Sequence, residues 1–324
     1  MKTNSTKILL ANTMMIGVIM TICSNNWISM WMGLELSLLS FIPFIQNKNS
    51  ISSESMIKYF IMQSVASTMF LFSMVIMLIG VNMMNEIIMT ISMLIKIGSA
   101  PFHNWVLMII ENLEYYVMFI MLTILKMPPM TIMFQINSKM LLIPIMLSMI
   151  MSSILCLNQS SIRKTLAYSS IYNMSLVLIS INTFNISMTY LILYSLTMML
   201  LISLLKNMKI NFINQLMLNE FNNFMKINLW LNMLSMSGFP PLLGFLGKML
   251  IMQVLIQKEQ FVVLTMLLLT SMLVTMFYTR MAFTSMIPFS TSKKWSNYNK
   301  IPYYFLMTLN MMMIPLTISL TSIS

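Results

Sequence analysis

No aspartate occurs anywhere in the 324 residues, histidine occurs once (His103) and cysteine twice (Cys23 and Cys156). Each shortage removes a chemistry. An iron–sulfur cluster takes about four thiolates, and a haem usually takes an axial histidine or cysteine. Zinc takes three or four nitrogen or sulfur ligands. No redox centre or metal site fits this chain, and two cysteines inside apolar runs make no disulfide framework. Neither a G-x-G-x-x-G run nor a P-loop is present, so no nucleotide site is indicated. Charge is also scarce: 8% of the residues are charged, against about a quarter in a soluble domain.

Hydrophobic residues fill the gap. They make up 58% of the chain, and the mean hydropathy is +0.85. Such a composition belongs in a bilayer. The net charge of +11 comes from basic residues scattered between apolar runs, with no basic tail and no aromatic platform. The partner that suits them is lipid, not nucleic acid.

A spanning helix needs roughly 20 mostly apolar residues. That length predicts an all-α polytopic membrane protein of about eleven spans, near 8–24, 27–45, 58–82, 86–107, 113–136, 140–157, 162–181, 187–205, 227–257, 261–285 and 301–322. Pro101, Pro128 and Pro129 interrupt the fourth and fifth, and Gly238-Phe239-Pro240-Pro241 breaks the ninth. With eleven spans, thirteen basic residues in the loops or toward the span ends, Lys226 among them, fall on the side of the N-terminus. Lys139 and Lys258 fall on the other. The positive-inside rule then puts the N-terminus in the cytoplasm or in the organelle equivalent, the matrix.

Three lysines and one glutamate lie near the middle of the predicted spans: Lys96, Lys126, Lys248 and Glu35. Glu35 is eight residues into the second span, about 12 Å deep at 1.5 Å per residue. A charge at the bilayer centre costs at least about 2.5–3.5 kcal/mol on insertion scales, so these groups are expected to face one another or water. A structural Glu–Lys pair is one reading, but it leaves at least two lysines with no carboxylate at their depth. The other is proton transfer. A lysine in a low-dielectric site gives up its proton more readily than one in water, and a carboxylate moved toward or away from it changes that tendency.

Helix breaks lie beside two of these lysines. Ile97-Gly98-Ser99-Ala100-Pro101-Phe102 follows Lys96, and Ser237-Gly238-Phe239-Pro240-Pro241 precedes Lys248. Proline removes a helix donor and frees carbonyls that can solvate an ion or water, so discontinuous helices are expected near Pro101 and Pro240. Ser92, Lys96, Ser99 and His103 follow helical spacing across the first break. His103 reads equally as a core histidine or as a second proton carrier. Tyr168, Tyr172 and Ser175 share a face that either orders water or packs against a neighbour. A faint repeat offsets Gly98-x-x-Pro101 and Trp105 from Gly238-x-x-Pro241 and Phe245 by 140 residues, or five spans. Five is odd, so units of five helices would be inverted relative to each other.

At these residues the chain resembles a known family. Four runs carry the likeness: Trp31-Met32-Gly33-Leu34-Glu35-Leu36, Lys96-Ile97-Gly98-Ser99-Ala100-Pro101-Phe102-His103-Asn104-Trp105, Asn158 to Ile171 (with Ala167-Tyr168-Ser169-Ser170), and Gly238-Phe239-Pro240-Pro241 through Gly247-Lys248. Their order and spacing are similar to those of the second, antiporter-like subunit family of mitochondrial NADH:ubiquinone oxidoreductase, respiratory complex I. The resemblance implies two inverted five-helix repeats, here 1–136 and 137–300, and a C-terminal membrane helix in 301–324. It implies that Glu35 pairs with Lys96 in the uptake half, that Lys126 is the central relay lysine, and that Lys248 serves the exit half. It also implies a mitochondrial inner-membrane location, other membrane-arm subunits as partners, and FMN and iron–sulfur clusters held elsewhere in the complex. A chain made inside the organelle is expected to lack a cleavable Arg-rich presequence, and the 45 methionines suit an A/T-rich mitochondrial code.

Three positions depart from the family pattern. Val106-Leu107 stand where a proline is frequent, and Gly247 stands where proline often precedes the last lysine. Asn173-Met174-Ser175-Leu176 occupy the stretch where the family commonly has His-x-Gly-Trp, which removes a titrating histidine. A free-standing cation/proton antiporter is the alternative function. Such carriers commonly use intramembrane aspartates, and this chain has none.

Overall fold

The computed structural model describes residues 5–46, 50–80, 82–136, 139–218 and 223–286, with isolated positions 308 and 315. The span expected at 301–322 and the basic residues Lys2, Lys48, Lys293, Lys294 and Lys300 lie outside the described residues. Within them the chain forms fourteen α-helices and no β-strand. Six helical segments are long and apolar enough to cross a membrane: Ser5–Cys23, Trp27–Ile45, Ile51–Met77, Tyr115–Ile136, Phe184–Met208 and Phe261–Met286. Leu142–Leu157 and Leu243–Gln257 are shorter apolar helices.

The helices fall into two compact units, Met1–Ser148 with Ile181–Phe184, and Met149–Ser180 with Asn185–Ser324. In the first, α1 (Ser5–Cys23), α2 (Trp27–Ile45) and α3 (Ser50–Ile79) precede a broken helix, α4 (Asn82–Ile97) and α5 (Asn104–Ile110). Then come α6 (Tyr115–Leu122), a 3-10 turn (Ile124–Lys126) and α7 (Met127–Ile136). Helix α8 (Leu142–Leu157) follows a second 3-10 turn. In the second unit α9 (Ile162–Ile179) is buried on every side apart from Arg163 and Lys164 in its first turn. A helix apolar on one stripe only could not occupy that position. Around it are α10 (Phe184–Met208), the short α11 (Ile213–Leu218), the broken pair α12 (Asn223–Ser237) and α13 (Leu243–Gln257), and α14 (Phe261–Met286).

Large apolar side chains such as Ile16, Ile79, Met272 and Met276 are exposed, as expected of surfaces that meet acyl chains. The hydroxyls of most serines and threonines donate to a carbonyl three or four residues back, for example Ser37 Oγ to Leu34 O at 2.8 Å and Ser148 Oγ to Ile145 O at 2.9 Å. That keeps polar groups satisfied inside each helix where no water is at hand. The loops Ser160–Ile162 and Asn211–Ile213 clasp through Ile162 N to Asn211 O and Ile213 N to Ser160 O, both 3.0 Å. Arg163 Nη2 adds a bond to Asn211 Oδ1 at 3.2 Å.

Helices α1 and α2 pack backbone to backbone at Gly17 and Gly33. A Cβ on Gly33 would stand 2.6 Å from Thr21 Cγ2 and 2.9 Å from Gly17 O. This is the small-residue approach that substitutes for hydrophobic driving force between membrane helices. Gly33→Val is expected to destabilise the unit by about 1–3 kcal/mol, seen as reduced recovery of folded chain from membranes, with Gly33→Ala less severe.

Candidate functional site

Proline chemistry decides where the buried lysines sit. In the first unit α4 ends at Ile97, and Gly98 turns the chain with φ +72°. Pro101 has no N–H to offer, so the helix cannot continue through it. Ser99 N turns back to Leu94 O at 3.2 Å, and the Trp105 indole donates to Ile95 O at 3.1 Å. Ser92, Lys96, Ser99 and His103 are all buried along this segment. His103 lies at the N-cap of α5 and is not among the side chains lining the cavity described next.

A second distortion delivers Lys126. Pro128 and Pro129 withdraw the donors that Ile124 and Leu125 carbonyls would meet in a regular helix. The segment tightens into the 3-10 turn Ile124–Lys126, with Lys126 N bonded to Thr123 O at 3.2 Å. Helices α4 and α7 pack together, and Lys96 and Lys126 line one cavity of about 30 Å³. Ser37, Tyr59, Gln63 and Trp105 complete its polar lining. That volume holds about two waters, and the lining supplies the several partners that each water needs.

Glu35 stands on α2 between Leu34 and Ser37, both of which line the cavity. Its charge acts electrostatically on Lys96, yet the two do not form a direct ion pair. A direct ion pair does form elsewhere among the described residues, between Lys58 and Glu54 on α3, at 2.5 Å. One carboxylate oxygen of Glu35 is buried without a hydrogen-bond partner. The expected Glu35–Lys96 relation is therefore a field across a gap rather than a contact.

Lys248 belongs to the second unit. Pro240 and Pro241 withdraw the donors that Met236 and Ser237 carbonyls would otherwise meet. Lys248 Nζ donates to the freed Ser237 O at 2.6 Å, so the ammonium caps the negative end of half-helix α12. Gly238 turns with φ +77° directly under it, and a Cβ there would stand 2.8 Å from Lys248 Nζ. The Tyr172 ring centroid is 5.7 Å from Lys248 Nζ, within cation–π range. Lys248 also lines a cavity of about 20 Å³ with Asn173, Tyr190, Tyr194, Thr197 and Ser235, room for about one water.

Several of these groups escaped the sequence reading. Tyr59 and Gln63 are one turn apart on α3, and with Ser67 they form a buried stripe at steps of four. That spacing was visible in the sequence, but not the helix it would face. Lys226, one residue ahead of the predicted ninth span, lies in the first turn of α12 and is 1% exposed. The helix begins four residues before the predicted span. Cys23 and Cys156 are free thiols, and among the described residues no three His, Cys, Asp or Glu side chains gather as metal ligands.

Comparison with known proteins places this geometry. Residues 24–275 match the transmembrane family described as NADH:quinone oxidoreductase/Mrp antiporter. The chain is 35% identical over 280 residues to NADH-ubiquinone oxidoreductase chain 2 of Anopheles gambiae, covering 83% of this chain and 82% of that one. It is 35% identical over 311 residues to the protein of the same name from Locusta migratoria, covering 91% and 90%. In three dimensions it is similar to a chain of respiratory complex I from Thermus thermophilus, with a TM-score of 0.81 at 21% identity. That match covers 94% of this chain and 76% of the other.

Proposed function

Since the chain belongs to the NADH:quinone oxidoreductase/Mrp antiporter transmembrane family, together with the NADH-ubiquinone oxidoreductase chain 2 proteins, we propose that it is a proton-carrying subunit of the complex I membrane arm in the mitochondrial inner membrane. It couples to NADH oxidation and ubiquinone reduction carried out on other subunits, where FMN and the iron–sulfur clusters reside. In this reading the chain crosses the membrane eleven times, as two inverted five-helix repeats (1–136 and 137–300) and a C-terminal helix (301–324), with its N-terminus in the matrix.

The observation that carries the reading is the shared cavity of Lys96 and Lys126. Two titratable amines around space for about two waters form a proton-exchange site. Glu35 acts on Lys96 from a distance, so a small displacement of α2 against α4 changes how tightly Lys96 holds its proton. Lys126 receives that proton and passes it on toward Lys248. Lys248 holds it against the Ser237 carbonyl until the local field changes. His103, buried on the break beside Lys96, is a further candidate for this path.

A native gel in mild detergent, stained for NADH oxidation, tests the assignment. The chain, identified by mass spectrometry, is expected to co-migrate with the NADH-oxidising band. Migration as a small separate particle would favour a free-standing antiporter of the same fold.

A further inference from the structure

Asn85, in the first turn of α4, is 2% exposed, and neither its amide nitrogen nor its amide oxygen meets a hydrogen-bond partner. Buried polar groups are ordinarily satisfied, and packing alone would be served by leucine. Asn85, Met89, Ser92 and Lys96 recur at steps of four, three and four, so they share one face of α4. All four are buried. That face leads from the helix end to the Lys96–Lys126 cavity, over about 16 Å at 1.5 Å per residue.

Helix α3 supplies the opposite wall. It ends at Ile79 and α4 begins at Asn82, and the two pack together, so they run antiparallel. Gln63 and Lys96 line the same cavity, which fixes the level at which the two helices meet. Seven residues on from Gln63 is Phe70, and seven back from Lys96 is Met89, so these two stand at one height, about 10 Å from the cavity. Both are buried, and the Phe70 ring packs edge-on against Trp27 of α2, with centroids 6.4 Å apart. Polar groups therefore lie on either side of one apolar level, with Gln63, Ser92 and Lys96 inward of it and Asn85 outward.

Resting on the proton-carrying reading of Lys96, we propose that Asn85 holds a water at the mouth of a second access to the Lys96–Lys126 cavity, from the side opposite the N-terminus, and that Met89 with Phe70 is the apolar plug that keeps this access shut. A buried water needs two to four polar partners, and the two amide groups supply two of them. A dry constriction stops water, and the protons it carries, without any fixed charge. Met89 suits a plug that opens, because its side chain is unbranched with three rotatable bonds. Phe70 is the fixed half, braced by Trp27. A path open on both sides of Lys96 at once would short-circuit a pump, so the plug is shut whenever the cavity faces the N-terminal side.

The test uses the intact complex in sealed phospholipid vesicles without NADH, with a pH step imposed across the membrane and the inner pH followed in time. Met89→Ser is expected to raise the passive proton leak roughly tenfold over the parent, because a small hydroxyl side chain admits water at the apolar level. Met89→Leu keeps that level apolar and filled, and is expected to stay within about twofold of the parent. Added to Met89→Ser, either Asn85→Leu or Lys96→Met is expected to bring the leak back to within about twofold of the parent, since each removes a station on the same path. Phe70→Ala opens the level from α3 and gives the same readout if Met89→Ser does not assemble. A tight membrane in an assembled Met89→Ser complex would overturn the plug. So would an equal leak in Met89→Leu, or failure of both Met89→Ser and Phe70→Ala to assemble, which would assign the two side chains to packing. A Met89→Ser leak that survives Asn85→Leu would overturn the access path. A leak that Asn85→Leu abolishes and Lys96→Met leaves intact would overturn the proton-carrying reading of Lys96 while the plug stands.

Discussion

Lys248→Met is expected to slow proton translocation coupled to NADH oxidation by tenfold or more, on the scale of losing an acid–base group, with assembly of the complex intact. Methionine has nearly the length of lysine and packs flexibly, so it fills the space under α12 and beside Tyr172. What disappears is the amine that caps Ser237 O at 2.6 Å and lines the second cavity. Lys248→Arg separates charge from proton transfer. Arginine keeps a cation at the end of α12 but does not release its proton at physiological pH. The arginine variant is therefore expected to be as slow as the methionine one. Both are measured as the initial rate of vesicle acidification, with NADH oxidation by the same preparation as the reference. Recovery of the rate by arginine would show that Lys248 supplies only a fixed charge.

Much of this site was legible in the sequence because its signals are local. Lys96, Lys126 and Lys248 stand out as charges inside apolar runs, and Gly98-Ser99-Ala100-Pro101 and Gly238-Phe239-Pro240-Pro241 announce breaks that a helix cannot bridge. The structure turns both breaks at a glycine with positive φ. The Pro128-Pro129 pair likewise foretells a distortion, though not that it would take the form of a 3-10 turn presenting Lys126. The remaining features depend on which helix faces which. Tyr59 and Gln63 belong to the Lys96 cavity only because α3 packs there. The bond from Tyr190 to Asn173 joins α10 to α9, and no spacing within either helix encodes it. The burial of Lys226 is hidden from the sequence for a related reason. A lysine just before an apolar run reads as a loop residue until the helix start is known, and α12 begins at Asn223.

The second large effect is expected from Lys96 and Lys126 together. Both line the same cavity of about 30 Å³, so a proton moving between them crosses about one or two waters. Consecutive members of a single route do not contribute independently: once one is removed, loss of the other has little left to cost. Lys96→Met and Lys126→Met are each expected to slow coupled proton uptake by about tenfold or more. The double variant is expected to be no slower than the slower single one. Two separate routes would instead give single variants with partial losses that multiply.

The measurement that bears most directly on the central claim is therefore the double-mutant cycle at Lys96 and Lys126, read as proton uptake per NADH oxidised by the assembled complex in sealed vesicles. A double variant equal to its slower parent, within about twofold, is the predicted result and makes the two amines successive stations of one proton path. Undiminished uptake in the single variants, or losses that multiply in the double, would contradict it.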